Sequence, residues 1–130
     1  MHDRARELID RLNLEAHPEG GYYRRTYESS ETIPSGVVPA GYESPRRLGS
    51  SILFLLPAEE VSRLHCLRGD EMWHFYEGTS LEIHVFGGEE GYRTLRLGSD
   101  LRAGEFPQYV VRGGCWFGAT VPEGYALVGC

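Results

Sequence analysis

The sequence is poor in positive charge and contains no lysine. Its 13 arginines are outnumbered by 19 acidic residues, and the formal net charge is -6. Proteins that bind the phosphate backbone of nucleic acids usually present a basic surface. This balance therefore argues against a nucleic-acid partner, whereas the absence of lysine supports no functional conclusion by itself.

Long apolar runs and paired cysteines are also lacking. No apolar run approaches the roughly 20 residues that a membrane-spanning helix requires, and residues 1–9 are charged where a secretory signal peptide would be apolar. The three cysteines, Cys66, Cys115 and Cys130, are odd in number and lack metal-type spacing, which disfavours a disulfide scaffold. Cys66 and Cys115 lie in apolar contexts that favour buried, inert thiols. We expect a cytoplasmic protein that does not bind a membrane.

Glycine and proline, by contrast, are abundant and fall between short apolar segments. The 17 glycines and 7 prolines indicate many turns that join short strands. A chain of 130 residues is near the usual size of one domain, so residues 1–130 are predicted to form a single domain. Residues 1–16 carry a helical pattern, with Asp3 as the expected N-cap and Asn13 as the expected end of the helix.

Segments that read as strands fill most of the remaining chain. About nine are predicted, at residues 22–27, 50–56, two within 62–78, 81–86, 92–97, 108–111, 115–120 and 125–128. Many short strands with regular turn signals are typical of a β-sandwich or barrel. Residues 28–47 are predicted to form a long loop, serving as a lid or as an arm to a second subunit, with a short extended piece at Val37-Val38.

The stretch from Ser62 to Gly78 concentrates the groups that can carry chemistry. Two strand-like segments are joined there by a turn at residues 68–70. Because successive side chains in a strand point to opposite faces, His65 and Glu71 converge if the two segments form a hairpin. The side chains predicted to share these faces are Arg63 and His65 in the first segment and Glu71, Trp73 and Phe75 in the second.

Two spacings in this sequence resemble the motifs of the cupins. His65-x-Leu67-xxx-Glu71-xxxxxx-Gly78 resembles the first cupin motif, and Val111-x-Gly113-xx-Trp116 resembles the second. Segments spread over nearly the whole chain resemble the hallmarks of a small, poorly characterised cupin-like subfamily: residues 17–23, 51–56, 62–65, 70–75 and 113–117. The resemblance implies an all-β fold, the cupin double-stranded β-helix or jelly-roll barrel, with a short N-terminal α-helix. It implies no particular reaction.

The resemblance also implies where a metal would bind and where this sequence departs from that pattern. A typical cupin site offers three histidines and one glutamate, but Leu67 and Trp116 stand at the second and third histidine positions. Two protein ligands seldom hold a divalent ion. His74 falls on the opposite face by strand parity and could join only across a β-bulge. We therefore expect no cofactor; the alternative is iron, manganese or zinc held by His65, Glu71 and His74.

A metal-free pocket for a small molecule is the favoured interpretation. Mostly apolar walls with a few convergent polar groups are typical of such sites. His65, beside the carboxylate of Glu71, is the predicted general base. The residues predicted to bind the ligand are Arg63, Trp73, Phe75, Trp116, Gln108 and Tyr22.

Three functions remain open at this point. The first is an isomerase or epimerase acting on a polar or sugar-like metabolite, as in the metal-free deoxysugar epimerases among the cupins, with Tyr22, Tyr23 or Tyr76 as a second proton donor. The second is a metal-dependent oxygenase or isomerase. The third is a non-catalytic ligand sensor or structural dimer. A homodimer is expected because an unpaired sheet edge has to be covered, and the apolar strand directly before Cys130 suggests a truncated chain.

Overall fold

The computed structural model describes residues 1–34, 36–37 and 45–130. One helix, α1, spans Asp3–Leu12. It precedes a chain of short strands: β1 Glu15–Ala16, β2 Tyr22–Glu28, β3 Thr32–Ile33, β4 Arg46–Arg47, β5 Ser50–Pro57, β6 Ser62–Cys66, β7 Glu71–Gly78, β8 Leu81–Phe86, β9 Arg93–Leu97, β10 Gln108–Val111, β11 Trp116–Thr120 and β12 Tyr125–Gly129. A 3-10 turn spans Leu101–Ala103. The prediction of an all-β fold with one short N-terminal helix is confirmed.

Helix α1 begins one residue earlier than its sequence suggests. The N-cap is His2, whose side chain accepts a hydrogen bond from the backbone N–H of Arg4, while Asp3 is the first helical residue. Asn13 ends the helix in the left-handed conformation, as predicted, and its N–H bonds to the carbonyl of Asp10. No helix in the described part of the chain is long and apolar enough to cross a membrane.

Two sheets face each other and enclose the core. The larger has the strand order β1-β2-β5-β12-β7-β10, and the smaller has the order β6-β11-β8-β9. Their inward side chains form the barrel core, which includes Phe54, Leu56, Trp73, Ile83, Val85, Val111, Phe117 and Val128. Because α1 covers the outer face of the larger sheet, β5 is buried on both faces, with Leu55 packed under the helix. This is the arrangement that the continuous apolar run of β5 predicts.

The structure changes two features of the predicted topology. β6 and β7 are not a hydrogen-bonded hairpin: β6 pairs with β11, and β7 pairs with β10 and β12, so the turn at residues 68–70 crosses from one sheet to the other. The predicted loop at residues 28–47 contains a small antiparallel pair, β3 with β4, and β2 extends to Glu28. Of the predicted extended piece, Val37 lies in a turn and Val38 lies outside the described residues.

A β-bulge in β7 couples the barrel to the helix. Phe75 pairs with Val128 and Glu77 pairs with Leu127, so Tyr76 is an extra residue and Glu77 turns out of the barrel toward α1. There its carboxylate accepts hydrogen bonds from Arg4 Nε (2.8 Å) and from the hydroxyl of Tyr125 (2.6 Å). The bond from Arg4, followed by that from Tyr125, lowers the pKa of Glu77 to about 2.

We predict that Glu77→Gln destabilises the protein at neutral pH by about 1 kcal/mol, the upper range for a solvent-screened pair. The folded-state pKa lies below its ordinary value of 4.5, so the stabilisation is present above about pH 4.5 and is lost as the pH falls toward 2. Urea unfolding of both proteins across this range measures the effect. Glu123→Gln, in an exposed turn, is the matched control. A difference between wild type and Glu77→Gln that does not shrink with acid would contradict this assignment.

Candidate functional site

A pocket opens between the two sheets, beside β6 and the first residues of β7. It encloses about 280 Å³, its open mouth included. Its apolar walls are Ile52, Phe54 and Trp73. Its polar or titratable lining is His17, Ser62, His65, Glu71 and Cys130.

An irregularity in β6 decides which of its side chains enter this pocket. Phe117 and Ala119 of β11 are two residues apart, but their partners His65 and Ser62 in β6 are three apart. The extra residue places both Ser62 and His65 on the inward face, opposite two fully buried side chains. Strand parity had grouped His65 with Arg63 instead. Arg63 is exposed, and its guanidinium Nη2 donates to the carbonyl of Pro18, outside the pocket.

The ring of His65 is fixed in one tautomer by a backbone carbonyl. Its Nδ1 lies 2.7 Å from the carbonyl oxygen of Arg63, which can only accept, so Nδ1 carries the hydrogen. One face of the ring packs on Phe117 at 4.3 Å between ring centroids. Nε2 has no hydrogen-bond partner among the residues that the structure describes. In the neutral ring this nitrogen presents a lone pair.

Glu71 and Cys130 are further titratable residues of the pocket lining. Burial raises the pKa of Glu71, and the nearby His65 and the indole N–H of Trp73 oppose this rise. Burial, followed by the charge of Glu71, raises the pKa of the Cys130 thiol well above its ordinary value. The thiol is therefore neutral at physiological pH, which disfavours a nucleophilic role.

Trp73 combines a packed ring with an unpaired donor. The residue is 2% exposed, and its ring stands edge-on to Phe54 and Phe117, each at 6.2 Å between centroids. Its buried Nε1–H lies near the carboxyl of Glu71, but the contact does not reach hydrogen-bond geometry, and the described residues offer no other partner. An unpaired buried N–H costs on the order of 1–3 kcal/mol.

His17 lines the pocket from the turn that precedes β2. Its Nδ1 accepts a hydrogen bond from the N–H of Glu19 (3.0 Å). The N–H of Arg63 donates to the carbonyl of Glu19 (2.7 Å), and this bond holds the turn against β6. Gly20 has a positive φ and lies so close to the carbonyl of Val61 that a side chain would collide with it. Burial, then the proximity of His65, lowers the pKa of His17. The motif His-Pro-Glu-Gly-Gly at residues 17–21 is the sequence feature that could have identified this turn as part of the pocket.

Several predicted ligand-binding residues lie outside the pocket lining. Trp116 is 54% exposed on the outer face of the smaller sheet, where it pairs with Cys66 and Phe86, and Phe117 faces inward in its place. Phe75 packs against the barrel core without lining the pocket.

Cys66 is exposed, contrary to the expectation of a buried thiol, whereas Cys115 is buried.

The remaining candidates lie on other faces of the larger sheet. Tyr22 packs under helix α1, because it pairs with Leu55, whereas Tyr23 pairs with Phe54 on the barrel side and contacts the ring of His17. The amide of Gln108 meets Nδ1 of His74 at 3.1 Å, a cross-strand contact away from the pocket. Tyr76 is exposed at the bulge of β7. None of the three tyrosines considered as proton donors lines the pocket.

The donor set does not fit the metal site that a typical cupin provides. Within residues 1–34, 36–37 and 45–130, no three His, Cys, Asp or Glu side chains are grouped so that they could hold a metal ion. His65 and Glu71 line one pocket, but His74 is engaged with Gln108 elsewhere. The alternative ligand set of His65, Glu71 and His74 is therefore not assembled.

The chain is similar to known cupins over nearly its whole length. The family described as Cupin superfamily (DUF985) matches residues 6–130. A hypothetical protein from Leishmania major is 33% identical, with a TM-score of 0.87 over 97% of this chain and 78% of its own. A protein from Shewanella oneidensis is 43% identical, with a TM-score of 0.83 over 100% of this chain and 76% of its own.

A more distant structure establishes the fold alone. A cupin domain from Bordetella pertussis is 11% identical, with a TM-score of 0.51 over 88% of this chain and 94% of its own. No curated protein matches the chain. Together with the facing sheets, these similarities confirm the predicted jelly-roll fold.

We predict that Gly118→Ala disturbs the pocket through β6. A Cβ at position 118 would lie 2.7 Å from the carbonyl oxygen of Ser62 and 3.3 Å from the backbone nitrogen of Leu64, at the irregular step of the strand. Overpacking of this kind typically costs 1–3 kcal/mol. Gly49→Ala, where an added Cβ meets nothing within 4 Å, is the control. Equal free energies of unfolding for the two variants in urea would show that β6 does not need the glycine.

Proposed function

Because this chain belongs to the family described as Cupin superfamily (DUF985), we propose that its pocket binds a small polar or sugar-like metabolite and moves a proton on it, in an isomerase- or epimerase-like reaction. One observation carries the proposal. Polar side chains converge between the apolar walls, namely those of His17, Ser62, His65, Glu71 and Trp73, and Nε1 of Trp73 is buried without a hydrogen-bond partner among the described residues. A few convergent polar groups between apolar walls are typical of small-molecule sites, so this set supports a bound ligand.

The size of the pocket limits what enters it. With its open mouth included it encloses only about 280 Å³, just below the roughly 300–1,000 Å³ of typical ligand pockets. The enclosed part therefore suits a small polar group, such as a carbonyl group. The rest of a larger metabolite would remain at the mouth.

His65 is the group best suited to act as the base. The carbonyl of Arg63 holds its Nδ1–H, so the free Nε2 can accept a proton, and the same carbonyl stabilises the imidazolium that forms. Glu71 lines the same pocket, and burial raises its pKa, so the carboxyl carries a proton over a wider pH range than usual. It can pass a proton to or from a ligand oxygen.

A metal-free reaction is part of the proposal, since the described side chains do not assemble a third ligand. Homodimer formation and a cytoplasmic location remain predictions. A ligand sensor with the same pocket would bind the same class of molecule without turnover.

We expect the protein to exchange carbon-bound hydrogen of its substrate with solvent. The measurement is loss of proton signals by NMR in D2O across a panel of small aldoses, ketoses and nucleotide sugars. His65→Asn keeps a donor for the carbonyl of Arg63 but removes the base, and should lower the exchange rate by about 100-fold or more. His84→Asn changes a histidine on the outer face and should have no effect. Silence across the panel with wild-type protein would overturn the proposal.

We also expect protein purified without chelators to contain less than one equivalent of iron, manganese or zinc, because two ligands hold a divalent ion weakly. Elemental analysis checks this directly. His65→Ala should leave the metal content unchanged. If the wild type contains one equivalent of metal and His65→Ala loses it, the metal-dependent function is supported instead.

A further inference from the structure

The backbone holds the two histidines of the pocket in opposite tautomers. His65 Nδ1 faces a carbonyl oxygen, which can only accept, so the hydrogen is on Nδ1 and the lone pair is on Nε2. His17 Nδ1 faces the backbone N–H of Glu19, which can only donate, so Nδ1 carries the lone pair and the hydrogen of the neutral ring is on Nε2. One ring therefore presents a base to the pocket, and the other presents a donor.

Protonation of His17 is opposed by the same contacts. An imidazolium would place a hydrogen on Nδ1 against the N–H of Glu19, and the lowered pKa of His17, caused by burial and by the neighbouring His65, acts in the same direction. The ring therefore stays neutral at physiological pH. A neutral imidazole whose Nε2–H is held in place serves as a hydrogen-bond donor to an oxygen.

We propose that His17 and His65 form a complementary pair, in which Nε2–H of His17 binds the carbonyl oxygen of the substrate while Nε2 of His65 removes a proton from the adjacent carbon. This inference rests on the proposed function and specifies its substrate class: a small aldehyde or ketone with a C–H next to the carbonyl group. His17 also supplies the polar group that none of the three tyrosines brings to the pocket.

The step balances within the pocket. Nε2 of His65 takes the proton, the C–H electron pair forms a carbon–carbon double bond, and the carbonyl π pair moves to the oxygen. The resulting enolate oxygen accepts the hydrogen bond from Nε2–H of His17. Return of a proton from the imidazolium of His65 restores a carbonyl compound, and nothing is oxidised or reduced.

One further donor lines the same pocket. The hydroxyl of Ser62 can donate or accept, and the carboxyl of Glu71 adds acceptor oxygens beside the lone pair of His65. A carbonyl compound that carries a neighbouring hydroxyl can pair with both kinds of group.

The tautomers can be tested without a substrate. Two-bond 1H–15N correlation spectra of protein labelled with 15N-histidine, recorded near pH 7.5, should show His17 protonated at Nε2 and His65 protonated at Nδ1. His17→Gln and His65→Gln assign the two spin systems. The same tautomer on both rings, or a charged His17 at this pH, would overturn the pair.

The catalytic half of the proposal uses a matched pair of variants. His17→Asn can still accept from the N–H of Glu19 but lacks the distal donor, whereas His17→Gln keeps a donor near the position of Nε2. Exchange of glyceraldehyde and dihydroxyacetone protons in D2O should fall by about 100-fold in His17→Asn. The loss in His17→Gln should be several-fold smaller. Comparable urea unfolding of both variants excludes a folding defect as the cause.

The outcomes separate this inference from the broader one. If the wild type exchanges these protons and His17→Asn remains within threefold of it, the pair is wrong while the proposed function stands. If the wild type exchanges protons only on compounds that are not small aldehydes or ketones, the substrate class is wrong. If no compound is exchanged at all, the proposed function fails together with this use of the pair.

Discussion

The irregular pairing of β6 with β11 is the constraint on which the pocket depends. The extra residue in β6 lets Ser62 and His65 both face inward, and it leaves the backbone of Arg63 with two bonds that serve the site. The N–H of Arg63 fastens the turn that carries His17, through the carbonyl of Glu19, and its carbonyl holds Nδ1 of His65. One residue of one strand therefore positions both histidines, and Gly118 leaves the space in which this strand can bend.

The pocket wall retains one buried, unpaired N–H, at a cost that the surrounding core offsets. Each buried donor or acceptor left without a partner costs on the order of 1–3 kcal/mol, whereas packing an aromatic ring such as that of Trp73 into the core contributes more than that. Trp73 shows both effects in one side chain, since its ring packs edge-on to Phe54 and Phe117 while its N–H stays unpaired. Under the proposed function, a bound ligand would engage the polar side chains around this small opening.

Regular alternation made most of the fold predictable, and its interruptions account for what was missed. The strands at residues 81–86 and 108–111 have the predicted bounds, and parity correctly separates Trp73 from His74. Parity fails in β6, where the extra residue exchanges Arg63 for Ser62, because the register of a strand is set by its partner and cannot be read from one segment. For the same reason the choice between Tyr22 and Tyr23 needed the pairing of β2 with β5. The role of His17 depends on contacts with residues more than 40 positions away.

The second cupin-like motif does not place a third histidine ligand inside this barrel. Trp116 stands where the resemblance would place a third histidine, yet the side chain at that position points out of the barrel and the next residue, Phe117, points in. A histidine introduced at position 116 would therefore lie on the outer face beside Cys66 and Phe86, far from the pocket lining. The inward position is filled by the ring of Phe117, which packs directly on His65. This contact occupies one side of the imidazole with an apolar surface and leaves Nε2 as its free polar atom. This contact supports the proposed role of His65 as a base rather than a role as a metal ligand.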